Sequence, residues 1–142
     1  MVIDAIKNGI VIDHIKAGKS MEMYRILGLY KLQCSVAIIK NVSSAKMGKK
    51  DIIKIDETID IDLDALGYVD PNITVNIIRD GVRVRKFHVQ LPKTVTNVIR
   101  CTNPRCITST EQELDHVFKL VDEEKRIYRC IYCESRAKDT HE

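Results

Sequence analysis

The sequence predicts an α+β fold: a ferredoxin-like antiparallel sheet with two helices on one face, followed by a small C-terminal all-β domain. Three observations predict it. Short segments rich in β-branched residues alternate with turn dipeptides, and two stretches between them carry helix signals. After Leu91-Pro92 this pattern gives way to close pairs of cysteines. We therefore expect two domains, residues 1–91 and 92–142.

The first half of the N-terminal domain is expected to hold a strand hairpin, a helix and two strands. Segments 2–6 and 10–15 suit strands, and the Asn-Gly dipeptide between them suits a tight turn. Ser20 is the expected N-cap of a helix that tolerates Gly28 in its interior at a cost of about 1 kcal/mol. Two further strands are expected over residues 34–40 and 51–57.

A short helix and a second strand hairpin are expected to complete this domain. The helix covers residues 62–66, because aspartates at its start suit the positive N-terminal end, and Gly67 with Asp70-Pro71 stops it. Strands over residues 74–78 and 82–89 flank an Asp-Gly dipeptide at 80–81, which is typical of a type I′ turn. This order of elements suits an antiparallel sheet with both helices on one face.

Four cysteines predict a zinc site in the C-terminal domain. Cys101 and Cys106 have the spacing C-x4-C, and Cys130 and Cys133 have the spacing C-x2-C. Four thiolates can close a tetrahedral shell around one structural Zn²⁺ per chain, with no position left for a substrate. About 51 residues bury too little apolar area to fold alone, so the ion would stabilise the domain. Three histidines are assigned no ligand role: His88, His116 and His141.

The composition is that of a soluble protein, with 30% charged and 44% hydrophobic residues. The longest apolar runs are only a few residues, and the first residues have neither a basic head nor a long hydrophobic stretch. We therefore expect neither a signal peptide nor a membrane span. A cytoplasmic location is expected, where grouped cysteines favour a metal over disulfides.

Charge is unequally divided between the two domains. Residues 1–91 carry 14 Lys and Arg against 11 Asp and Glu, whereas residues 92–142 carry 9 against 9. Four thiolates and one Zn²⁺ would bring the second domain to about −2, which argues against nucleic acid as its ligand. The basic clusters of the first domain, around residues 46–54 and 79–86, could contact phosphate or could be solvated faces.

Catalytic machinery is not evident in the sequence. It contains no phosphate loop, no Gly-rich dinucleotide turn and no arrangement typical of a Ser-His-Asp triad. Asp13 and His14 are unusual within an apolar strand. They are either a structural pair or hydrogen-bonding partners for ribose hydroxyls or a base edge.

Nearly the whole chain resembles the regulatory chain of aspartate carbamoyltransferase. The segments D-A-I-K-N-G-I-V-I-D-H-I, M-G-K-K-D-I-I-K-I and T-V-N-I-I look like strands of that family's N-terminal domain. C-T-N-P-R-C and the later C-x2-C pair are similar to its zinc knuckles in spacing and order. The segments are collinear and meet at a Leu-Pro junction, which makes the resemblance specific.

The resemblance implies a non-catalytic regulatory subunit of pyrimidine biosynthesis. In that family CTP inhibits and ATP activates through one pocket, and UTP is a further candidate ligand. The zinc domain would dock on the catalytic chain. Regulatory dimers would link catalytic trimers in a dodecamer of six catalytic and six regulatory chains, with no nucleic acid or membrane as partner. Carried over by position, the pocket residues are Asp4, Ala5, Ile6, Val11, Asp13, His14, Lys54, Asn76, Ile78 and Lys86.

Two other classes of function remain open on the residues alone. A zinc-ribbon nucleic-acid-binding factor would use the basic clusters against RNA backbone, with a steep salt dependence. A small metalloenzyme would require an open coordination position on the zinc.

Overall fold

The computed structural model describes residues 6–138 and divides into two compact units, Met1–Gln90 and Leu91–Glu142. The described part of the first unit contains, in chain order, β1 (Gly9–Lys16), α1 (Ser20–Ile26), β2 (Val36–Ser44), β3 (Gly48–Ile55), α2 (Leu63–Val69), β4 (Thr74–Arg79) and β5 (Val82–His88). The second contains β6 (Thr94–Thr96), α3 (Ile107–Thr110), β7 (Val117–Asp122) and β8 (Ile127–Cys130). Between residues 6 and 138, no helix is long and apolar enough to cross a membrane.

The first unit has the predicted ferredoxin-like arrangement. Its five strands form one sheet in the order β2-β3-β1-β4-β5, and every neighbouring pair is antiparallel. The first four strands and the two helices follow the chain order βαββαβ, and β5 extends the sheet at one edge. The predicted α+β fold class is confirmed.

The core lies on one face of this sheet, under the two helices. Ile10 and Ile12 of β1 and Ile53 of β3 are buried on that face. They pack in the same core as Met23 of α1 and Leu66 of α2, which are both fully buried. Each such side chain contributes about 1.5–3 kcal/mol through burial. The alternate residues of the strands therefore form a second face that the helices do not cover.

Helix α1 differs from its prediction at both ends. Ser20 is its first helical residue, whereas Lys19 occupies the N-cap position, where its side chain makes no capping hydrogen bond. The Ser20 hydroxyl instead donates to the buried carboxylate of Asp51 at 2.6 Å. The helix ends at Ile26, and Gly28 adopts a left-handed conformation with a φ of 67°. Gly28 therefore follows the helix as a C-terminal turn residue and does not lie in its interior.

Gly9 does not occupy the tight turn that the Asn-Gly dipeptide at residues 8–9 predicted. Gly9 does not adopt a positive φ and is the first residue of β1. It is needed for space, because a Cβ atom there would lie 2.1 Å from the carbonyl oxygen of Ile55. The strand predicted over residues 2–6 lies outside the described residues except for Ile6.

The second half of the unit is closer to expectation. Asp62 caps α2, accepting a hydrogen bond from the backbone N–H of Ala65 at 3.1 Å. The helix runs on to Val69, so Gly67 lies buried inside it and does not end it, whereas Asp70 of the predicted Asp70-Pro71 stop is its C-cap. The type I′ turn between β4 and β5 is confirmed, since the residues at 80–81 have φ values of 51° and 77°. Strands β2 and β3 are offset from the predicted segments by two to four residues at each end.

Edge strand β5 is largely exposed on both faces. Its burial pattern leaves only Phe87 half-buried, and Val82 and Val84 are 62% and 49% exposed. Arg85 lies over the ring of Phe87, with its guanidinium carbon 4.3 Å from the ring centroid.

The second unit is a three-stranded sheet in the order β6-β7-β8, joined to one turn of helix. Val95, Phe118 and Tyr128 are buried in its small core. The Tyr128 hydroxyl donates to the carbonyl oxygen of Pro92, which fixes the start of the unit. The predicted small C-terminal β-domain is confirmed.

Candidate metal centre and polar sheet face

The four predicted cysteine ligands come together at one end of the second unit. Cys106 precedes α3 as its N-cap, and Cys130 is the last residue of β8. The four sulfur atoms all lie within 4.8 Å of one another. Cys101 and Cys133 are 3.5 Å apart through their sulfurs, and Cys106 and Cys130 are 3.7 Å apart. A tetrahedral zinc ion with Zn–S bonds of about 2.3 Å requires sulfur separations of about 3.8 Å. These residues therefore fit a four-thiolate metal ion and are too far apart for disulfides.

Hydrogen bonds around the cluster hold the two knuckles in place. The buried Thr108 hydroxyl donates to the Cys106 sulfur at 3.1 Å. The backbone N–H of Cys101 donates to Nδ1 of His116 at 3.0 Å. His116 therefore orients a ligand loop, a role that its sequence position does not reveal. Such supporting contacts commonly fix metal ligands in place.

The four thiols differ in acidity. Burial raises the pKa of Cys101 to about 12 and also raises that of Cys130. Burial acts in the same direction on Cys133, but hydrogen bonds from Ser135 outweigh it and bring its pKa to about 6. The hydrogen bond from Thr108 lowers the pKa of Cys106. Each pair thus contains one sulfur disposed to the thiolate form that binds metal.

A row of predicted pocket residues crosses the face of the first unit that the helices leave uncovered. Val11 of β1 pairs with Lys54 on one side and with Asn76 on the other. Asn76 pairs in turn with Lys86 of β5. Residues directly paired across a sheet project to the same face, so these four side chains form one row. Asp13 and Ile78 lie two residues from members of this row and share its face. We call these six residues the polar face.

Asp13 is held as a carboxylate at one end of the polar face. Its Oδ1 atom lies 2.9 Å from Nζ of Lys50 and accepts the backbone N–H of His14 at 2.6 Å. Partial burial raises the pKa of Asp13, but these two contacts outweigh it, so the pKa lies below its usual value. His14 has a φ of 60° at a β-bulge, and its Nδ1 lies 3.2 Å from the Thr74 hydroxyl.

Asn76 lies at the centre of the row and is only 8% exposed. Its side-chain nitrogen donates to the carbonyl oxygen of Val11 at 3.4 Å. Its side-chain oxygen is buried and has no hydrogen-bond partner among the described residues. A buried acceptor without a partner is unusual and favours a ligand that supplies a donor.

Residues 1–90 match the family model described as the allosteric domain of the aspartate carbamoyltransferase regulatory chain. Residues 93–141 match the model of its metal binding domain. The chain belongs to the family of aspartate carbamoyltransferase regulatory chains. Its role is accordingly regulatory and non-catalytic, and the predicted family is confirmed.

Named relatives are similar over almost the full length. The aspartate carbamoyltransferase regulatory chain of Clostridium tetani is 52% identical, covering 100% of this chain and 99% of its own. That of Clostridium acetobutylicum is 52% identical, covering 94% and 92% of the two chains. That of Bifidobacterium longum is 43% identical, covering 97% and 99%. Family membership favours a regulatory role over the nucleic-acid-binding and metalloenzyme alternatives.

Within this regulatory chain, the structure brings most predicted pocket residues together but not all. Asp4 and Ala5 lie outside the described residues, and Ile6 is half-buried just before β1. Lys50 belongs to the basic cluster around residues 46–54 but was not among the predicted pocket residues. The alternation of Lys50, Ile52 and Lys54 along β3 was the signal that could have placed it on the polar face.

A cleft adjoining His14 is lined mostly by residues outside the predicted pocket list. It has a volume of about 380 Å³ and is lined by His14, Lys46, Met47, Pro71, Asn72 and His88. Its size falls within the range of small-molecule sites. Lys46 and His88 come from distant parts of the sequence, and only the pairing of the strands brings them to the same cleft.

Proposed function

We propose that this chain is the effector-binding subunit of aspartate carbamoyltransferase. Its N-terminal domain binds CTP and ATP in competition on the polar face. Its C-terminal domain holds one structural Zn²⁺ and docks on the catalytic chain. The row of Lys54, Val11, Asn76 and Lys86 across four adjacent strands is the observation that carries the nucleotide assignment.

The two lysines of the row suit the phosphate groups. Lys54 lies on β3 and Lys86 on β5, three strand spacings apart. That distance is about 14 Å between backbones at about 4.8 Å per spacing. Two long lysine side chains can therefore approach one triphosphate from opposite sides. Each ammonium group provides a point charge with three donors.

The remaining members of the polar face suit the nucleoside. The ionised Asp13 can accept hydrogen bonds from ribose hydroxyls, and the unpartnered Asn76 oxygen can accept one more. Val11 and Ile78 offer apolar contact with a base. Backbone groups of residues 4–6 would read the exocyclic amine that cytosine and adenine share. UTP lacks this amine and should bind more weakly.

Calorimetric titration of the metal-loaded chain with CTP, ATP and UTP tests the nucleotide assignment. Lys54→Ala should weaken binding of CTP and ATP about tenfold or more, because it removes a charged contact to phosphate. Lys49→Ala is the matched control, since Lys49 is an exposed neighbour on β3 that projects to the opposite face. Equal losses in both variants, or wild-type protein that fails to bind CTP, would refute the assignment.

Zinc is the ion best suited to the cysteine cluster. Four thiolates in a tetrahedral arrangement favour Zn²⁺, and binding can supply about 10–16 kcal/mol to a small domain. We expect Cys130→Ala to leave nucleotide binding largely intact and to abolish association with the catalytic chain. Co-elution of this variant with catalytic trimers on gel filtration would contradict the docking role.

Regulation follows from linkage between the two domains. A nucleotide that binds one quaternary state better than another shifts their equilibrium by its differential affinity, typically about 1–3 kcal/mol. Two regulatory chains would pair through their N-terminal domains and link catalytic trimers in a cytoplasmic dodecamer of six and six chains. Titration of the assembled complex with CTP would then give an affinity different from that of the free chain.

A further inference from the structure

The outer face of the second sheet carries a row of basic side chains. Lys119 of β7 pairs directly with Arg129 of β8, and Arg129 forms a bridge with Arg136 in the segment after β8. Residues paired across antiparallel strands project to the same face, and all three side chains are exposed. The neighbouring pair Phe118 and Cys130 is buried on the opposite face. We call Lys119, Arg129 and Arg136 the basic row.

The basic row opposes the stability of its own sheet. Like charges directly opposite one another on two strands repel. Neither Lys119 nor Arg129 forms an ion pair with a carboxylate among residues 6–138. The guanidinium of Arg129 donates to the backbone carbonyl oxygen of Glu134 at 3.0 Å, which leaves its charge uncompensated. Two adjacent cations without a counter-charge favour a partner that brings carboxylates to this face.

Apolar side chains beside the basic row favour a protein as that partner. Val121 and Ile131 are 48% and 47% exposed. A shallow cleft of about 140 Å³ at this face is lined by Lys119, Val121, Arg129, Cys130, Ile131 and Glu134. It is smaller than the sites that usually hold drug-sized ligands. Nucleic acid suits the face poorly, because four thiolates around one Zn²⁺ would place a net charge of about −2 next to it.

The second pair of cysteines builds the basic row. Arg129 immediately precedes Cys130, and the chain then folds back, so that the Cys130 N–H donates to the carbonyl oxygen of Ser135 at 3.0 Å. The Ala137 N–H donates to the carbonyl oxygen of Tyr128 at 2.8 Å. These two bonds place Arg136 opposite Arg129. Closure of this knuckle around a metal ion would therefore also assemble the charged face.

We propose that the basic row, with Val121 and Ile131 beside it, binds an acidic surface of the catalytic chain. Carboxylates of that surface supply the counter-charges that Lys119 and Arg129 lack within their own chain. This inference rests on the proposed docking function of the C-terminal domain and names the chemistry by which it docks.

Charge reversal at Lys119 separates docking from stability. Lys119→Glu replaces the repulsion with Arg129 by an attraction, so hydrogen exchange in β7 and β8 should be as slow as in the wild type or slower. The same variant should bind immobilised catalytic trimers about tenfold more weakly or worse, measured by surface plasmon resonance of the metal-loaded full chain. Its binding should also depend less steeply on salt.

Lys125→Glu is the matched control. It makes the same change in net charge at an exposed residue of the turn between β7 and β8. It should bind catalytic trimers within about twofold of the wild type, because it leaves the basic row intact.

The outcomes discriminate between explanations. If Lys119→Glu weakens binding no more than the control, or if its loss of binding accompanies faster exchange in β7 and β8, the inference is refuted while the docking role stands. Tighter binding of wild-type protein to single-stranded RNA than to catalytic trimers, lost in Lys119→Glu, would assign the row to nucleic acid and overturn it. If the wild type itself does not bind catalytic trimers, the proposed docking fails, and this inference fails with it.

Discussion

Asp51 should be the most important polar residue for the stability of the N-terminal domain. It is fully buried, and its carboxylate accepts the Ser20 hydroxyl at 2.6 Å, the backbone N–H of Gly18 at 3.1 Å and that of Asn41 at 3.0 Å. It thereby joins the start of α1 to the bulge in β2. A hydrogen bond to a charged group is worth about 1.5–3 kcal/mol, and buried donors left without an acceptor add to the loss.

We expect Asp51→Ala to lower the free energy of unfolding by roughly 3–5 kcal/mol, a large fraction of a typical total of about 5–15 kcal/mol. Urea denaturation of the metal-loaded chain, followed by circular dichroism, measures this. Asp56→Ala is the control, because Asp56 is exposed just beyond the end of β3. A loss no larger than that of the control would refute the reasoning.

The pH dependence of the same variant provides a second measurement. Burial raises the pKa of Asp51, but the hydrogen bonds from Ser20, Asn41 and Gly18 outweigh it, so the pKa lies below its usual value. The carboxylate therefore stabilises the fold above the unfolded-state pKa, and this stabilisation is lost as pH falls through the folded-state pKa. The difference between wild type and Asp51→Ala should be constant near neutrality and should shrink in acid below about pH 4.

Three further predictions concern other parts of the chain. Gly9→Ala should lower the free energy of unfolding by roughly 1–3 kcal/mol, because the new Cβ meets the Ile55 carbonyl. An unchanged urea midpoint would contradict the close approach of β3 to Gly9. Asp62→Ala should lower the free energy of unfolding by about 0.5–2 kcal/mol, because it removes the acceptor that caps the Ala65 N–H. Asp62→Asn should retain most of this stability, and thermal unfolding of both variants measures the difference. Removal of metal with a chelator should unfold residues 91–142 while the sheet of the first unit persists, and hydrogen exchange that stays slow throughout the second unit would disprove this.

The sequence predicted the fold class and the cysteine cluster because those signals are local. The type I′ turn follows from an Asp-Gly dipeptide, and the cluster follows from two short spacings. The row of four paired residues could not be read from spacing, since Lys54 and Lys86 become neighbours of Val11 and Asn76 only through the sheet register.

The wrong predictions share one physical cause, which is tertiary contact overriding local preference. Ser20 has a residue type suited to an N-cap, yet its hydroxyl bonds to Asp51, which lies 31 residues away. Gly9 has the dipeptide context of a turn, but it is needed because β3 passes too close for a side chain. Gly67 is tolerated inside α2 in the buried layer, where packing outweighs helix propensity.

The exposed edge strand β5 has a consequence for solubility. A bare sheet edge can recruit further copies of the same chain, one strand after another. On β5, however, Arg83, Arg85 and Lys86 would confront their own like charges if two copies aligned there in antiparallel fashion. Like charges along β5 would therefore oppose edge-to-edge pairing of this particular kind.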